Sequence, residues 1–478
     1  MSRRARTLAT TFALALLTGC TGTGTVTPTT ETATPTVAAT PTVAATPTGG
    51  SDVWDGAPAQ MRYVAWHEDG DAWRLHIYEL IDGAVRDSVV PGVTQPTIEN
   101  DADGVDITPD GRYVAFFAQF DGVAGDANGA GDVFLYDRET GEIELASVTN
   151  GPRTADDWAR GPRVSDDGRY VFFRGKSEAF VGPEKEPEGY FGDPHIIRRD
   201  MATETSEVVD RRPDGSLSLG ASLDDISADG TIAVFTSSDW SIAGDLDPSD
   251  IPIHEGESEL YALDNFGHAY REDLTTGAIV RLDAGLPWAD PEDLGLGTDF
   301  HQSSSGASRL TSDGDLVVFQ FDLYDFIEHG DNDSQGWSGT PGEQLYVYDA
   351  LTGDRSLVFD GSAYGPGQFA EVRHHLSGNG ATVVGAVPAL DCSAGCPSGN
   401  YLHGASIDLD TADLPLTSVT ADILAEPLAI SFDGRYVAVR TDRPGEINST
   451  PRGDGFQLYF LDRATGAYTW VASLLWWG

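Results

Sequence analysis

Six times along the chain one short phrase returns: an apolar residue, Ser or Thr, any residue, Asp or Asn, then Gly. It reads Ile107-Thr108-Pro109-Asp110-Gly111, Val164-Ser165-Asp166-Asp167-Gly168 and Ile226-Ser227-Ala228-Asp229-Gly230. It continues as Leu310-Thr311-Ser312-Asp313-Gly314, Leu376-Ser377-Gly378-Asn379-Gly380 and Ile430-Ser431-Phe432-Asp433-Gly434. Starts at 107, 164, 226, 310, 376 and 430 lie 57, 62, 84, 66 and 54 residues apart. A period of that size carrying only strand and turn signals restricts the chain to radial repetition of small sheets.

The unit between phrases has a regular grammar. The apolar-Ser/Thr pair ends one strand, and x-Asp-Gly makes a tight turn in which Gly takes a positive φ. Pro109 suits the first corner of such a turn. A second strand follows, as at Tyr113 to Phe117, Tyr170 to Phe173 and Tyr436 to Val439. After a variable acidic loop comes a third strand ending in Asp, such as Val133 to Asp137, Leu345 to Asp349 and Leu458 to Asp462. A second turn carries Thr-Gly (Thr140-Gly141, Thr276-Gly277, Thr352-Gly353, Thr465-Gly466), and a fourth strand closes the unit. Four antiparallel strands joined by tight turns are one propeller blade.

The phrase together with Tyr-x-x-Asp-x-x-Thr-Gly resembles the WD40-like (PD40) repeats of TolB-type β-propellers, found in many exported bacterial proteins. The resemblance runs from about Gln60 to the C-terminus. It implies an all-β fold and leaves function open, because such propellers serve many tasks. The fifth phrase departs from the pattern, with Asn379 for Asp and an irregular third strand near Ser406 to Asp410. Before the first phrase, Arg62 to Trp66, Leu75 to Leu80 and Ala84 to Val89 read as a unit lacking its first strand. The C-terminal Leu474-Leu475-Trp476-Trp477 is expected to supply that strand. This gives a single β-propeller of seven four-stranded blades over residues 56–478, closed so that no sheet edge is left to aggregate.

The first residues belong to a different design. Arg3, Arg4 and Arg6 precede an apolar run, Leu8 to Leu17, that is too short to span a bilayer. It ends in Leu17-Thr18-Gly19-Cys20, which resembles the lipobox of bacterial lipoproteins. Residues 1–20 are therefore expected to be a lipoprotein signal peptide, with Cys20 lipidated, exporting the chain and anchoring it to a membrane facing periplasm or cell exterior. Residues 21–55 form a Thr/Pro-rich linker in which Thr-Pro-Thr-Val-Ala-Ala repeats. It is expected to be disordered, a stalk of about 90 Å at most. Cys392 and Cys396 remain, and in an oxidising compartment they are expected to form a local disulfide. Their C-x₃-C spacing is a weak zinc signal even with His374, His375 and His403 as further ligands.

The formal net charge is −47, with two lysines, Lys176 and Lys185. Such a surface repels phosphate backbones, which argues against nucleic-acid binding. It attracts cations or basic partners, or serves solubility alone. Long acidic loops and blade-to-blade connectors all leave from one face, the expected functional face. In one such loop Asp126, Asn128 and Asp132 alternate around glycines, a candidate calcium ligand set. Asp245, Asp247 and Asp250, and Asp331, Asn332 and Asp333, form related loops. The same residues also make ordinary turns. Trp158, Trp240, Trp288 and Trp337 fall on this face and can grip a protein or sugar, or cap a blade core. His254, His301, His329, His374 and His375 scatter there too. No G-x-S-x-G elbow, P-loop or dinucleotide fingerprint occurs. The expected role is a non-catalytic module binding an envelope protein or glycan. A polysaccharide-active hydrolase or lyase working in the funnel is the alternative.

Overall fold

The computed structural model describes residues 54–69, 72–95, 104–119, 131–148, 158–176, 180, 194–239, 241–244, 267–286, 301–327, 336–339, 344–360, 374–388, 402–408, 425–441, 447 and 455–474. Of these, 69, 95, 301–304, 307, 322–327, 336–339, 360, 386–388 and 402–408 are described by backbone alone. The chain divides into units 1–43 and 44–478, and every described residue belongs to the second. The expected signal peptide, nearly all of the expected stalk, Cys20, Cys392 and Cys396 lie outside the described residues.

The first sheet has three strands, β1 (Met61–Asp69), β2 (Ala72–Ile81) and β3 (Ala84–Gln95). Six blades follow, each opened by one copy of the phrase. Blade 1 comprises β4 (Val105–Ile107), β5 (Tyr113–Ala118), β6 (Asp132–Asp137) and β7 (Glu142–Leu145). Blade 2 comprises β8 (Arg160–Val164), β9 (Tyr170–Gly175), β10 (His195–Asp200) and β11 (Thr205–Val208). Blade 3 comprises β12 (Ser222–Ile226), β13 (Ile232–Ser237), β14 (His268–Asp273) and β15 (Ala278–Arg281). Blade 4 holds β16 (His301–Leu310), β17 (Leu316–Ile327), β18 (Gly336–Gly339), β19 (Gln344–Asp349) and β20 (Arg355–Asp360), with β18 paired to an extension of β17. Blade 5 shows β21 (His374–Leu376), β22 (Thr382–Pro388) and β23 (Leu402–Asp408), the last being its irregular third strand. Blade 6 comprises β24 (Glu426–Ile430), β25 (Tyr436–Thr441), β26 (Phe456–Asp462) and β27 (Ala467–Leu474).

The fold is an all-β propeller, but the expected seven four-stranded blades are corrected to six phrase-built blades and a three-stranded N-terminal sheet. Leu474 is not a closing strand. It ends β27, paired with Phe456 of the same blade. Residues 475–478 lie outside the described residues, and no described strand pairs with the axial edge of β1. The ring is closed by packing instead, with β1 lying against β4 on one side and β25 on the other. Met61, Tyr78 and Leu80 share a buried core with Tyr436, Ala438, Phe460 and Val471.

Other cores have the same construction, each filling the space between consecutive sheets. Ala115, Val133 and Leu135 meet Val171, Phe173 and Ile197. Phe172 and Ile196 meet Phe235 and Tyr270. One cross-strand aromatic pair recurs between second and third strands: Phe116 and Phe134 with centroids 5.5 Å apart, Phe235 and Tyr270 at 5.7 Å, Phe319 and Tyr346 at 5.9 Å. Each pair adds about 1 kcal/mol beyond its burial.

The phrase explains its own composition. In the first copy Thr108 Oγ1 donates to Asp110 Oδ1 at 2.6 Å, and the same oxygen accepts from the Arg112 N–H at 2.9 Å. The Tyr113 N–H donates back to Thr108 Oγ1 at 3.1 Å. All six copies repeat this set, and in the fifth the Asn379 side-chain carbonyl replaces the carboxylate, accepting from Ser377 at 2.8 Å and from the Ala381 N–H at 3.0 Å. The departure at Asn379 therefore costs the turn no bond. The phrase Gly always has positive φ, from 66° at Gly230 to 81° at Gly111. A Cβ on Gly168 would lie 2.6 Å from the Tyr113 ring of the preceding blade. Glycine is thus required both by conformation and by blade contact.

The third phrase residue joins neighbouring turns around the axis. The Asp166 N–H donates to the Ala228 carbonyl at 2.7 Å, Ala228 to Ser312 at 2.9 Å and Ser312 to Gly378 at 3.0 Å, while in the fifth copy the fourth residue, Asn379, donates to the Phe432 carbonyl at 3.0 Å. Pro109 has no N–H to continue this row. Its carbonyl accepts from Arg62 of the first sheet instead.

Candidate functional site

The inner strands of blades 1 to 4 carry a charge pattern that phrase-by-phrase reading passed over. One residue before each phrase stand Asp106, Arg163, Asp225, Arg309, His375 and Ala429. The innermost strand of a blade has a free edge, so its backbone groups need partners from elsewhere. Asp106 accepts from the Val164 N–H of blade 2 at 2.9 Å, and Asp225 from the Leu310 N–H of blade 4 at 3.1 Å. Each carboxylate caps the edge of the next blade.

A β-bulge recurs just before this position, in β8 between Arg160 and Arg163, in β12 between Leu223 and Asp225, in β16 between Gly306 and Arg309, and in β24 between Pro427 and Ala429. Bulges leave groups off the ladder and re-aim side chains. Arginine takes up the released carbonyls. Arg163 donates to Pro162 O at 3.0 Å and to Asp224 O at 3.2 Å. Arg309 donates to Ser308 O at 2.8 Å and to the same Asp224 O at 3.4 Å. The Asp224 carboxylate accepts from the Ser308 N–H at 3.1 Å and from Thr236 Oγ1 at 3.0 Å. Burial pushes Asp106 up to about 6, against the opposing effects of Arg163 and the Val164 N–H. Burial likewise pushes Asp224 up to about 6, against Arg309.

Towards the long-connection end of the same layer, Arg174 Nη1 donates to Ser222 Oγ at 3.1 Å. Arg174 pairs across the sheet with Arg160, whose guanidinium lies 4.6 Å from the Trp158 ring centroid. Trp158 is thus a platform for a cation inside this layer.

A second recurrent polar set has the residue types of a hydrolase but the wrong order. Asp210 Oδ2 lies 2.8 Å from His195 Nδ1 and accepts from Ser218 Oγ at 2.5 Å. Asp283 Oδ2 lies 2.5 Å from His268 Nδ1 and accepts from Ser305 Oγ at 3.1 Å. In blade 1 Asp132 takes the place of the histidine and Ser147 that of the carboxylate, with Ser147 Oγ donating to Asp132 Oδ1 at 2.6 Å. A nucleophilic triad needs histidine between serine and carboxylate. Here the carboxylate is central, and His195, Asp210, Ser218 and His268 are fully buried. In each case the third-strand start meets a residue 15 positions later. These sets pin the start of the third strand. The Ile196 N–H, for example, donates to Asp210 Oδ1 at 2.7 Å.

Among the calcium candidates, Asp126 and Asn128 lie outside the described residues, and Asp132 is the buried partner of Ser147. Among the described residues no group of three or more His, Cys, Asp or Glu is placed to hold a metal ion. Trp240, Trp288, His254 and His329 lie outside the described residues, and Trp337 and His301 are described by backbone alone. His374 is buried, whereas His375 is half-buried at the position before its phrase. No helix among the described residues is long and apolar enough to cross a membrane.

No family model matches the chain, and no curated protein matches it in sequence. Several solved propeller structures resemble it. TolB from Acinetobacter baumannii is 18% identical with a TM-score of 0.37, over 73% of this chain and 61% of TolB. The tricorn protease is 12% identical with a TM-score of 0.44, over 86% of this chain and 35% of the protease. A prolyl endopeptidase is 12% identical with a TM-score of 0.45, over 86% of this chain and 50% of the enzyme. The chain thus spans less than two thirds of each of these proteins, and the likeness concerns the fold alone.

Proposed function

We propose that the chain is an exported lipoprotein, anchored through lipid on Cys20 and held off the membrane by residues 21–55, whose propeller is a non-catalytic module for an envelope protein or glycan. The observation that carries the binding reading is the division of labour between the two faces. On the turn face the phrase hydroxyls, carboxylates and backbone are consumed by bonds within and between blades. The second-to-third and blade-to-blade connections leave the described strands on the opposite face, and they differ in length from one repeat to the next.

The alternative, a hydrolase or lyase in the funnel, needs a carboxyl free to exchange a proton with a sugar. Burial raises the pKa of Asp106 and of Asp224 to about 6, as that task asks, yet both are engaged with backbone N–H groups. Turnover on a panel of polysaccharides would favour the enzyme. For the anchor, Cys20→Ser is expected to move the protein from the membrane to the soluble fraction and to abolish labelling by a palmitate analogue. Persistent labelling of the Ser variant would refute lipidation at that residue.

A further inference from the structure

One position in the cores between blades holds a carboxyl with nothing to bind. The residue before the Asp that ends each third strand is Tyr136, Arg199, Glu272, Tyr348, Ile407 and Leu461 in blades 1 to 6. Tyr136, Tyr348 and Leu461 are buried in the apolar cores between sheets. Arg199 is buried too, and its Nη1 donates to the Glu204 carbonyl at 2.6 Å. Glu272 of β14 is 7% exposed, and its Oε2 is sealed from solvent with no hydrogen-bond partner.

The groups around Glu272 are committed elsewhere. From β10 comes Arg198, whose Nε donates to Glu207 Oε1 of β11 at 2.7 Å and whose Nη1 donates to Gly230 O at 3.3 Å. Its guanidinium lies 5.0 Å from the ring centroid of Tyr170 in β9. After β11, Asp210 is engaged by His195 and Ser218. On β14 itself Asp273 is bound by Thr275. The strands beside β14 set Ala233 of β13 and Ile279 of β15 opposite Glu272, and Arg281 further along β15 pairs with Asp283 at 3.3 Å. An ionised carboxylate so placed would have neither water nor a counter-ion, and a buried acid in that position keeps its proton instead. Burial first, then the charge of Asp210, push the Glu272 carboxyl up to about 8, against the pull of Arg198. A metal ion is the other way to neutralise it, but among the described residues no group of three or more His, Cys, Asp or Glu is placed to hold one.

We propose that Glu272 is a proton-held latch between blades 2 and 3. Protonated, it packs as Tyr136, Tyr348 and Leu461 pack in their own seams. Ionised, it draws water into the seam and parts β14 from β10. The latch belongs to the fold, and it stands whether or not the propeller binds an envelope partner. A carboxyl raised in the folded state contributes its stability in full below its unfolded value and loses it as pH rises through the folded one. The limits here are 4.5 and about 8. Across that interval wild type is expected to fall progressively behind Glu272→Gln, which stays neutral, and to trail it by a constant amount above.

The test is thermal unfolding of the full chain and of Glu272→Gln from about pH 4 to about pH 9, with hydrogen exchange followed by mass spectrometry. The unfolding midpoint of the variant is expected to match wild type at the acid end and to exceed it by about 2 °C or more at the alkaline end. In wild type, exchange in β10 and β14 is expected to rise between about pH 7 and about pH 9 by about tenfold beyond the intrinsic rise that β26, in the Leu461 seam, reports. In the variant that excess is expected to disappear. A midpoint gap that does not change with pH, or the same excess exchange in the variant, would overturn the latch. The wild-type exchange profile is decisive even where the variant fails to fold, since no excess in β10 and β14 also overturns it. Added calcium that abolishes the alkaline loss in wild type would show a metal and not a proton at Glu272, and would overturn it too.

Discussion

Glu79→Gln is expected to lower the stability of the propeller by about 3–5 kcal/mol, the cost of breaking a buried ion pair from one side. Glu79 lies in β2, and its side chain is 2% exposed. It accepts from Arg62 Nε at 2.9 Å and from Arg138 Nη2 at 3.0 Å. Arg138 belongs to blade 1 and also donates to Gly111 O at 2.7 Å, so one carboxylate joins the N-terminal sheet to the first phrase. The variant would leave two guanidinium groups without their anion in the seam that closes the ring. Burial by itself would raise the Glu79 carboxyl, but the bonds from Arg138 and Arg62 hold it below its ordinary value of 4.5. A carboxyl depressed in the folded state contributes stability above its unfolded value, and that contribution is lost as pH falls through the folded value. The gap between wild type and variant in urea unfolding is therefore expected to be full at neutral pH and to shrink below pH 4.5. A gap that stays constant into acid would show that the ion pair is not its cause.

Gly168→Ala is expected to cost about 3 kcal/mol, from two sources that a control separates. The first is backbone strain, since φ is 71° and a Cβ there costs about 1–2 kcal/mol. The second is collision, because the new carbon would meet the Tyr113 ring at 2.6 Å and force a repacking worth about 1–3 kcal/mol. Gly141, in the outer Thr-Gly turn, has φ of 78° and nothing within 4 Å of the same carbon. Gly141→Ala is thus expected to show the strain alone, about 1–2 kcal/mol. Equal losses at the two sites, measured by chemical denaturation, would contradict the close approach of successive blades at the phrase.

The repeat made the blades legible because its residues act locally. Ser or Thr, Asp or Asn, and Gly satisfy one turn within five residues, so the pattern survives in one dimension. The turn and strand order of blades 1, 2 and 3 followed from it. The closure did not, because pairing at the last strand depends on distant geometry. Leu474 looked available for a missing strand, whereas its blade uses it opposite Phe456. The axial residues were harder still. Asp106, Arg163, Asp225 and Arg309 stand in plain sight before each phrase, but charges beside a turn read as solvated. Only the convergence of Arg163 and Arg309 on the Asp224 carbonyl reveals a common layer. The Ser–Asp–His sets left a signal, the constant spacing of 15 between third-strand start and partner. That signal spans two elements, and it is visible only once the blades have been aligned.

The turn face builds the propeller, and the opposite face is the one proposed to meet the partner. That division is tested by placing a photo-crosslinking residue at Ser241, exposed after the second strand of blade 3, and at Glu139, exposed in the outer turn of blade 1. Irradiation of intact cells, followed by identification of the captured species, is predicted to give a specific, saturable adduct from Ser241 and none from Glu139. A specific adduct from Glu139 with none from Ser241 would contradict the account.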